Sequence, residues 1–276
     1  MESPLRPGLY IVATPIGNLG DLAPRAAETL RHADLILAED TRVTGKLLKY
    51  AGVTTPMRRY DDHSKEVDRN MIVDRIADEA IAIVSDAGTP LISDPGYKLV
   101  RDARAAGIAV TTIPGPSAVI AALTLAGLPT DRFAFFGFLP AKAGAKAAAI
   151  AEAAGFRGTL AFYESGPRLA ATLAALHQGL GDRDAAVARE ISKRFEECVT
   201  GTLSALAARY AEAPPKGEIV IVVGPPGEAE AASEADVDAA LREAMATFSP
   251  SRAAAEVAQR LGIPRRAAYE RAQQLK

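Results

Sequence analysis

Cysteine and histidine are scarce in this sequence, which holds one cysteine, Cys198, and three histidines among 276 residues. A single cysteine excludes an intramolecular disulfide and favours a reducing compartment. So few Cys and His residues also argue against a Cys/His metal site, and we predict no bound metal. The net charge of −2 creates no global field that would attract nucleic acid, so any basic surface must be local.

Long hydrophobic runs are missing as well. We find no stretch that reaches the roughly 18–20 apolar residues of a membrane span, and the N-terminus lacks a signal-peptide pattern. Hydrophobic residues nevertheless make up 49% of the chain and charged residues 24%, which is typical of a globular enzyme or binding domain. We therefore expect a soluble, cytoplasmic protein with no membrane partner.

The first part of the chain alternates short β-branched runs with segments of helical periodicity. Continuous apolar strands that alternate with helices are typical of a parallel sheet in an α/β domain. We expect strands at 9–14, 34–39, 81–86 and 109–114, and helices at 24–31, 67–80 and 95–106. The fold class predicted from this pattern is α/β, with a first domain over 1–118.

A second α/β domain is predicted over 119–224. An apolar helix is expected to begin near Pro116, at the boundary between the two domains, because proline is favoured in the first turn of a helix. We expect strands at 133–138, 159–165, 184–190 and 218–224, separated by helices at 142–154, 167–178 and 203–212.

The remainder of the chain changes character twice. Residues 225–238 are rich in Pro, Gly and Ala and carry five acids and no base, so we predict an acidic, solvated linker over 225–247. Residues 248–276, here called the basic tail, contain six bases and two acids. The first expected helix of the basic tail carries a stripe of apolar residues, ends at Gly262 and is followed by the apolar Ile263. This spacing is typical of a helix-turn-helix.

Two interpretations of the basic tail stay open. Its net charge of +4 is typical of a nucleic-acid contact, with Arg252, Arg265, Arg266 and Arg271 as the candidates. Alternatively, the two helices form a hairpin that packs on the body or on a dimer mate.

Four loops follow the expected strands of the first domain, at 14–21, 38–42, 85–96 and 114–118. Ligands of parallel α/β sheets bind outside the carboxyl ends of the strands, so these loops are the candidate site. Plain turns also need Gly, Pro, Ser and Asp, but usually over only about 2–6 residues. The loop SDAGTPLISDPG (85–96), here called the long loop, exceeds that length.

Several common site motifs are absent. The chain has no G-x-x-x-x-G-K-[ST] and no G-x-G-x-x-G, which disfavours a P-loop NTPase or a dinucleotide dehydrogenase. It also has no G-x-S-x-G, and its few histidines argue against a Ser-His-Asp hydrolase. The loops remain suited to a ligand that main-chain amides and carbonyls recognise.

Eight strings in order carry a resemblance to a known family. They are YIVATPIGNLGD, ILAEDTR, VSDAGTPLISDPGYKLV, PGPSAVIAAL, AGLPTDRFAFFGFLP, FYESGPRL, AREISKRFEE and KGEIVIVVG. Together they resemble the tetrapyrrole-methylase superfamily, and most closely its branch of ribose 2′-O-methyltransferases that act on cytidine 1402 of 16S ribosomal RNA. The porphyrinoid enzymes carry G-x-G-P-G-D and G-G-D-P loops, where this chain has TPIGNLGD and AGTP, which favours the RNA branch.

The resemblance implies an S-adenosyl-L-methionine-dependent enzyme, usually a homodimer, with the cofactor in a cleft between two α/β domains. It implies small-subunit ribosomal RNA as the partner, within the assembled subunit. Carried over by position, it implies cofactor contacts at Pro15, Asp86, Gly88, Thr89, Leu91, Ile92, Pro116, Ser117, Ala118, Tyr163, Ala188 and Ile219. Tyr163 is also compatible with a place in the core.

Acidic residues at strand ends are the candidates for activating a ribose hydroxyl, which is a poor nucleophile. Asp40 is the first choice because it stands beside Thr41 and Arg42 at a strand end, and Glu39 is the second. Asp40 can equally cap the following helix. Arg42 either holds an RNA phosphate or pairs with a neighbouring acid.

Residues 188–197 mix bases with acids. One interpretation is a solvated face laced with salt bridges. The other is an RNA contact through the phosphates, made by Arg189, Lys193 and Arg194.

The long loop holds two Asp residues with different expected roles. Asp86 is expected at the ligand, whereas Asp94 is expected to cap a helix that has Pro95 at its first position. On this view, replacing Asp94 by Ala costs mainly stability, and replacing Gly88 by Val costs mainly cofactor affinity.

Two other functions fit parts of the sequence. A methyltransferase of a tetrapyrrole or corrinoid intermediate shares the fold and has no need of the basic tail. A ligand-sensing nucleic-acid-binding protein would use the tail on DNA without transferring a methyl group.

Overall fold

The structure is a computed structural model that describes residues 5–61, 66–227, 234–261 and 263–275. Gly262, expected to end a helix, lies outside the described residues. The chain forms two compact units, Met1–Pro225 and Pro226–Lys276. In the described part of the chain, no helix is both long and apolar enough to cross a membrane.

The first unit begins with a five-stranded parallel sheet. Its strands are β1 (Gly8–Val12), β2 (Leu35–Ala38), β3 (Met57–Arg59), β4 (Ala80–Val84) and β5 (Val110–Ile113), in the order β3-β2-β4-β1-β5. Its helices are α1 (Pro24–His32), α2 (Thr41–Ala51), α3 (Glu66–Asp78) and α4 (Tyr97–Ala105). The predicted parallel α/β arrangement is confirmed, and β3 and α2 add to the predicted elements.

Both faces of this sheet are covered, which explains its uninterrupted apolar strands. Along β4, Ile81 and Ile83 enter one core cluster, whereas Ala82 and Val84 enter a cluster on the opposite face. Since successive side chains of a strand point to opposite faces, burial on both sides requires an apolar residue at every position.

The second α/β arrangement in the same unit is also confirmed. It consists of α5 (Ala118–Ala126), β6 (Phe133–Phe138), α6 (Ala143–Ala154), β7 (Thr159–Ser165), α7 (Leu169–Leu180), β8 (Asp184–Arg189), β9 (Glu197–Thr202), α8 (Leu203–Glu212) and β10 (Glu218–Val223). The strand order is β6-β7-β10-β8-β9, with β6 parallel to β7 and the other pairs antiparallel. β9 was missed in the sequence because its residues, ECVTGT, lack an apolar run.

The second unit consists of α9 (Glu234–Met245), α10 (Pro250–Leu261) and α11 (Arg265–Gln274). The two helices expected in the basic tail are therefore present. The prediction of a solvated linker up to residue 247 is wrong from Glu234 onward, because Val237, Ala240 and Leu241 are buried against α10 and α11. Acidic residues in the first turn stabilise α9. In the sequence, the same acids made the segment resemble a solvated linker, so its apolar stripe was not recognised.

Candidate functional site

A cavity of about 410 Å³ lies between the two sheets of the first unit. Loops that follow β1, β2, β4 and β5 form one side of it. Residues lining that side are Ile16, Glu39, Asp86, Ala87, Ser93, Asp94 and Ala118. Each of the four loops predicted as the candidate site therefore contributes to one cavity.

The second sheet and its loops form the opposite wall. Its lining residues are Phe138, Tyr163, Glu164, Ser165, Ile191, Gly217, Glu218, Ile219 and Val220. The volume lies within the range of small-molecule pockets, about 300–1,000 Å³. The walls combine apolar side chains with carboxylates, a combination that suits a cationic ligand with an apolar body.

Backbone hydrogen bonds hold the long loop in place. The amide of Thr14 donates to the Gly88 carbonyl at 2.8 Å, and the Gly88 amide donates to the Thr14 carbonyl at 3.1 Å. The hydroxyl of Thr89 donates to the Pro116 carbonyl at 2.9 Å. The loop is thereby tied to the loops after β1 and β5.

Gly88 has a φ of +87°, and a Cβ there would lie 3.2 Å from Ile16 Cγ2. Replacing Gly88 by valine would strain the backbone in this left-handed region, so we expect a loss of stability besides any loss of ligand affinity.

Three carboxylates lie together at this end of the sheet. Asp86 accepts from the Asp40 amide at 3.0 Å. Burial raises the pKa of the Glu39 carboxyl, and the charges of Asp94 and Asp86 raise it further. Burial also raises the pKa of Asp94, with a contribution from the charge of Asp86. Burial, together with repulsion between neighbouring charges, therefore makes Glu39 and Asp94 weaker acids than usual.

The prediction that Asp94 caps a helix is wrong. Helix α4 begins at Tyr97, and its N-cap is Gly96 with a φ of +124°. The carboxyl group of Asp94 instead accepts a hydrogen bond from Ser85 and lines the cavity. The Asp-Pro-Gly sequence forms a turn before the helix, so that both Asp86 and Asp94 face the site.

Replacing Asp94 by asparagine is expected to stabilise the ligand-free protein at neutral pH. A carboxyl with a raised folded-state pKa is protonated more readily when folded, so its ionisation destabilises the fold as the pH rises. Urea unfolding at pH 7 should give a larger free energy of unfolding for Asp94→Asn, and the gain should vanish below the ordinary pKa of 3.8. A gain that persists unchanged at pH 3 would contradict this origin.

Asp40, the first choice for activating a hydroxyl, caps α2. Its carboxylate accepts from the Arg42 amide at 2.8 Å and pairs with the Arg42 guanidinium at 2.5 Å. These bonds hold the pKa of Asp40 well below its usual range. The sequence offered a helix cap for Asp40 and an ion pair for Arg42, and the structure shows both interactions. Of the two acids, Glu39 lines the cavity.

The structure divides the residues expected to bind a cofactor. Asp86, Ala118, Tyr163 and Ile219 line the cavity. Gly88, Thr89, Leu91 and Ile92 belong to the long loop, and Pro15, Pro116 and Ser117 lie one or two positions in sequence from a lining residue. Ala188 is fully buried in the core between α5 and the second sheet.

Tyr163 was predicted to lie either at the cofactor site or in the core, and it contributes to both the cavity and the core. It lines the cavity and packs with the core around α5. Burial raises the pKa of its phenol, and the Val119 amide at the start of α5 donates to its hydroxyl.

Glu164 was missed in the sequence and is the fully buried acid of this wall. It accepts from the Thr172 hydroxyl at 2.6 Å and the Ser165 amide at 2.8 Å, and pairs with Arg168 at 3.3 Å. Arg168 in turn donates to the Leu139 carbonyl at 2.6 Å. The string YESGPR thus anchors the end of β7, a role that the neighbouring Arg could have suggested.

Two of the three bases in residues 188–197 are paired with acids, as the salt-bridged interpretation predicts. Arg189 pairs with Glu197 at 3.2 Å, and Lys193 reaches Glu218 at 2.8 Å. Arg194 lies over the exposed Phe195 ring at 5.5 Å. Of the three predicted RNA contacts here, Arg194 is the most exposed.

The arginines of the basic tail differ in whether they pair with another helix or are exposed. Arg271 pairs with Asp238 of α9 at 2.6 Å and helps to join the helices. Arg252 lies 4.6 Å from the centre of the Phe248 ring, and Arg266 pairs with Glu270 at 2.9 Å while 90% of its side chain is exposed. Arg265 is exposed beside it.

Comparisons with known proteins agree with this architecture. Residues 8–207 match the family described as Tetrapyrrole (Corrin/Porphyrin) Methylases, and residues 231–276 match the RsmI C-terminal HTH domain. Solved structures with the same fold include diphthine synthase (TM-score 0.63, 14% identity, 79% of this chain and 89% of that one). Another is a cobalt precorrin-4 methyltransferase (TM-score 0.59, 17% identity, 78% and 94%).

Curated relatives match over nearly the whole chain. A protein of Erythrobacter litoralis named ribosomal RNA small subunit methyltransferase I is 56% identical over 99% of this chain and 97% of its own length. One of the same name from Mesorhizobium japonicum is 48% identical over 99% and 94%. The chain therefore belongs to the tetrapyrrole (corrin/porphyrin) methylase family, in the branch of these small-subunit methyltransferase relatives.

Proposed function

We propose that this protein is an S-adenosyl-L-methionine-dependent methyltransferase of small-subunit ribosomal RNA. Its acceptor is the ribose 2′-hydroxyl of cytidine 1402 in 16S rRNA. The observation that carries the proposal is the 56% identity, over almost the full length, to a relative named for methylation of this RNA. A homodimer in the cytoplasm that acts on the assembled subunit is the form that we propose for the enzyme.

The cavity is compatible with the cofactor. S-adenosyl-L-methionine supplies a methyl group on a positively charged sulfur. Ala118, Ile219 and Val220 offer apolar surface for its adenosine, and the carboxylate of Asp86 complements its positive charge. A solved structure with the same fold, a Thermus thermophilus uroporphyrin-III C-methyl transferase, is complexed with S-adenyl homocysteine (TM-score 0.53, 20% identity).

Glu39 is the group that we propose as general base toward the ribose hydroxyl. It lines the cavity, and its raised pKa brings it closer to the working pH than an ordinary glutamate. Asp86 lies beside it and accepts a hydrogen bond from the Asp40 amide, which fixes the backbone between Glu39 and Asp40.

Methyl transfer to isolated subunits tests the proposal. The protein is incubated with tritiated S-adenosyl-L-methionine and with small subunits from cells that lack this modification, and the label is mapped by nuclease digestion. Label on one 2′-O-methylcytidine at position 1402 is expected. Label on a base, or on no nucleotide, would refute the function, and activity on naked RNA alone would refute the assembled substrate. Sedimentation equilibrium would test the homodimer.

The basic tail is proposed to hold RNA phosphates through Arg265 and Arg266. Replacing both by alanine should weaken subunit binding and make the log–log salt dependence shallower by about 1.4–1.8, the value for two lost phosphate contacts. Filter binding at several salt concentrations measures this slope.

The matched control replaces Arg25 and Arg157, two exposed arginines of the first unit, by alanine. It removes the same charge, and we expect it to leave the slope unchanged. Equal slopes in both double variants would mean that only net charge matters, and that the tail makes no specific contact.

A further inference from the structure

Phe138 stands out on the cavity wall because an aromatic ring of this size is usually covered by protein. It lines the cavity, yet 58% of its surface is exposed. The ring lies 5.5 Å from that of Tyr163 at 61°, and Tyr163 packs in turn against Phe135 at 4.7 Å. The aromatic pair beneath it therefore supports Phe138, while much of its ring stays available to a ligand.

An irregularity in β6 brings Phe138 to this wall. Phe135 lies opposite Ala161 of β7, and Phe138 lies opposite Tyr163, so three steps along β6 match two along β7. Such a bulge inverts the alternation of side chains beyond it. Phe136, just before the shift, stacks on Phe162 in the core of the opposite face. Regular pairing would have pointed Phe138 to that same face.

Gly137 is the residue that makes this bulge possible. Its φ of +61° lies in the left-handed region that favours glycine, and a Cβ there would be 3.1 Å from the Ser93 hydroxyl. The bulge thus packs closely against the long loop. The backbone geometry, and not side-chain mobility, places Phe138 on the wall of the cavity that Ser93 and Asp94 also line.

We propose that Phe138 is a stacking platform for a nucleobase of the RNA substrate, adjacent to the ribose that is methylated. This rests on the proposed function. A protein that handles one nucleotide of a folded RNA compensates for lost base stacking with an aromatic face. The Asp94 carboxylate, on the opposite wall of the same cavity, can accept from the exocyclic amine of a cytosine, which a uracil lacks. The exposure of Phe138 favours a base that arrives from solvent over the adenine of the cofactor.

Steady-state methylation of small subunits by four variants tests the stacking platform. Phe138→Ala and Phe138→Leu are expected to lower kcat/KM by about 10-fold or more, whereas Phe138→Trp should stay within about 3-fold of wild type, because stacking needs a ring. Phe133→Ala, a control at an exposed Phe of the same strand, should keep the wild-type kcat/KM. Calorimetric titration with S-adenosylhomocysteine should give the wild-type Kd for all four.

Three results would overturn the proposal. The first is an unchanged kcat/KM in Phe138→Ala, and the second is an equal kcat/KM in Phe138→Leu and Phe138→Trp. The third is a loss of S-adenosylhomocysteine affinity as large as the loss of kcat/KM. The last would assign the ring to the cofactor adenine. A wild-type protein that methylates no ribose of the subunit would instead refute the proposed function, and this failure is visible before any variant is measured.

Discussion

Methyl transfer is expected to fall by about 10²–10⁴-fold when Glu39 is replaced by glutamine, the range that general-base catalysis contributes. Glutamine keeps the size of the side chain but cannot take a proton from the ribose hydroxyl. Single-turnover rates with saturating cofactor and subunits measure the effect on the chemical step without interference from binding.

The pH profile gives the proposed base a second readout. A general base acts only when deprotonated, so the wild-type rate should be lost as the pH falls through the Glu39 pKa, which burial and the Asp94 charge place above its ordinary 4.5. Glu39→Gln should lack this limb of the profile and keep the wild-type S-adenosylhomocysteine Kd.

Asp40→Asn is the matched control, because it neutralises the neighbouring acid that caps α2. Its rate should stay within about 10-fold of wild type, since asparagine is also a good N-cap and the group lies outside the cavity lining. A large loss in Asp40→Asn combined with a small loss in Glu39→Gln would reverse the assignment and restore Asp40 as the base.

The largest loss of stability from adding a single methyl group is expected at Gly166. A Cβ on this buried residue would lie 1.8 Å from the Pro215 carbonyl oxygen and 2.9 Å from its carbon. Both are backbone atoms of the segment that leads into β10, so the clash cannot be relieved by the rotation of a side chain. We expect Gly166→Ala to lower the free energy of unfolding by about 3 kcal/mol, the upper end for overpacked sites.

Gly144→Ala provides the control for this substitution. Gly144 lies in α6, and apart from its chain neighbours and the backbone of its own helix no heavy atom lies within 4 Å of its ideal Cβ. The same change should therefore be neutral or stabilise by up to about 1 kcal/mol. Urea unfolding monitored by circular dichroism measures both variants. A Gly166→Ala variant as stable as Gly144→Ala would show that the Pro215 segment yields easily.

Some predictions could be made from the sequence because they depend on local pattern. The strands of the first sheet are buried on both faces, and an apolar residue at every position of β4 is visible without any structure. The four ligand loops follow from the rule that sites lie at the carboxyl ends of parallel strands. β9 escaped because an edge strand of ECVTGT carries no such pattern.

The roles of the carboxylates depended on geometry that the sequence does not contain. Asp-Pro at 94–95 has the local signature of a helix start, but Gly96 occupies the N-cap, and Asp94 faces the cavity instead. Asp40 and Glu39 are neighbours in the chain, yet one pairs with Arg42 and the other lines the cavity.

The sequence by itself determined the two α/β arrangements, the loops that form the site and the family, because each depends on residues close together in the chain or on strings in a fixed order. Only the tertiary structure decided which acids share the cavity, which cations are already paired and where Phe138 points. Those properties arise between segments far apart in sequence. One extra residue in β6 shows the reason, since its effect on Phe138 exists only relative to the register of β7.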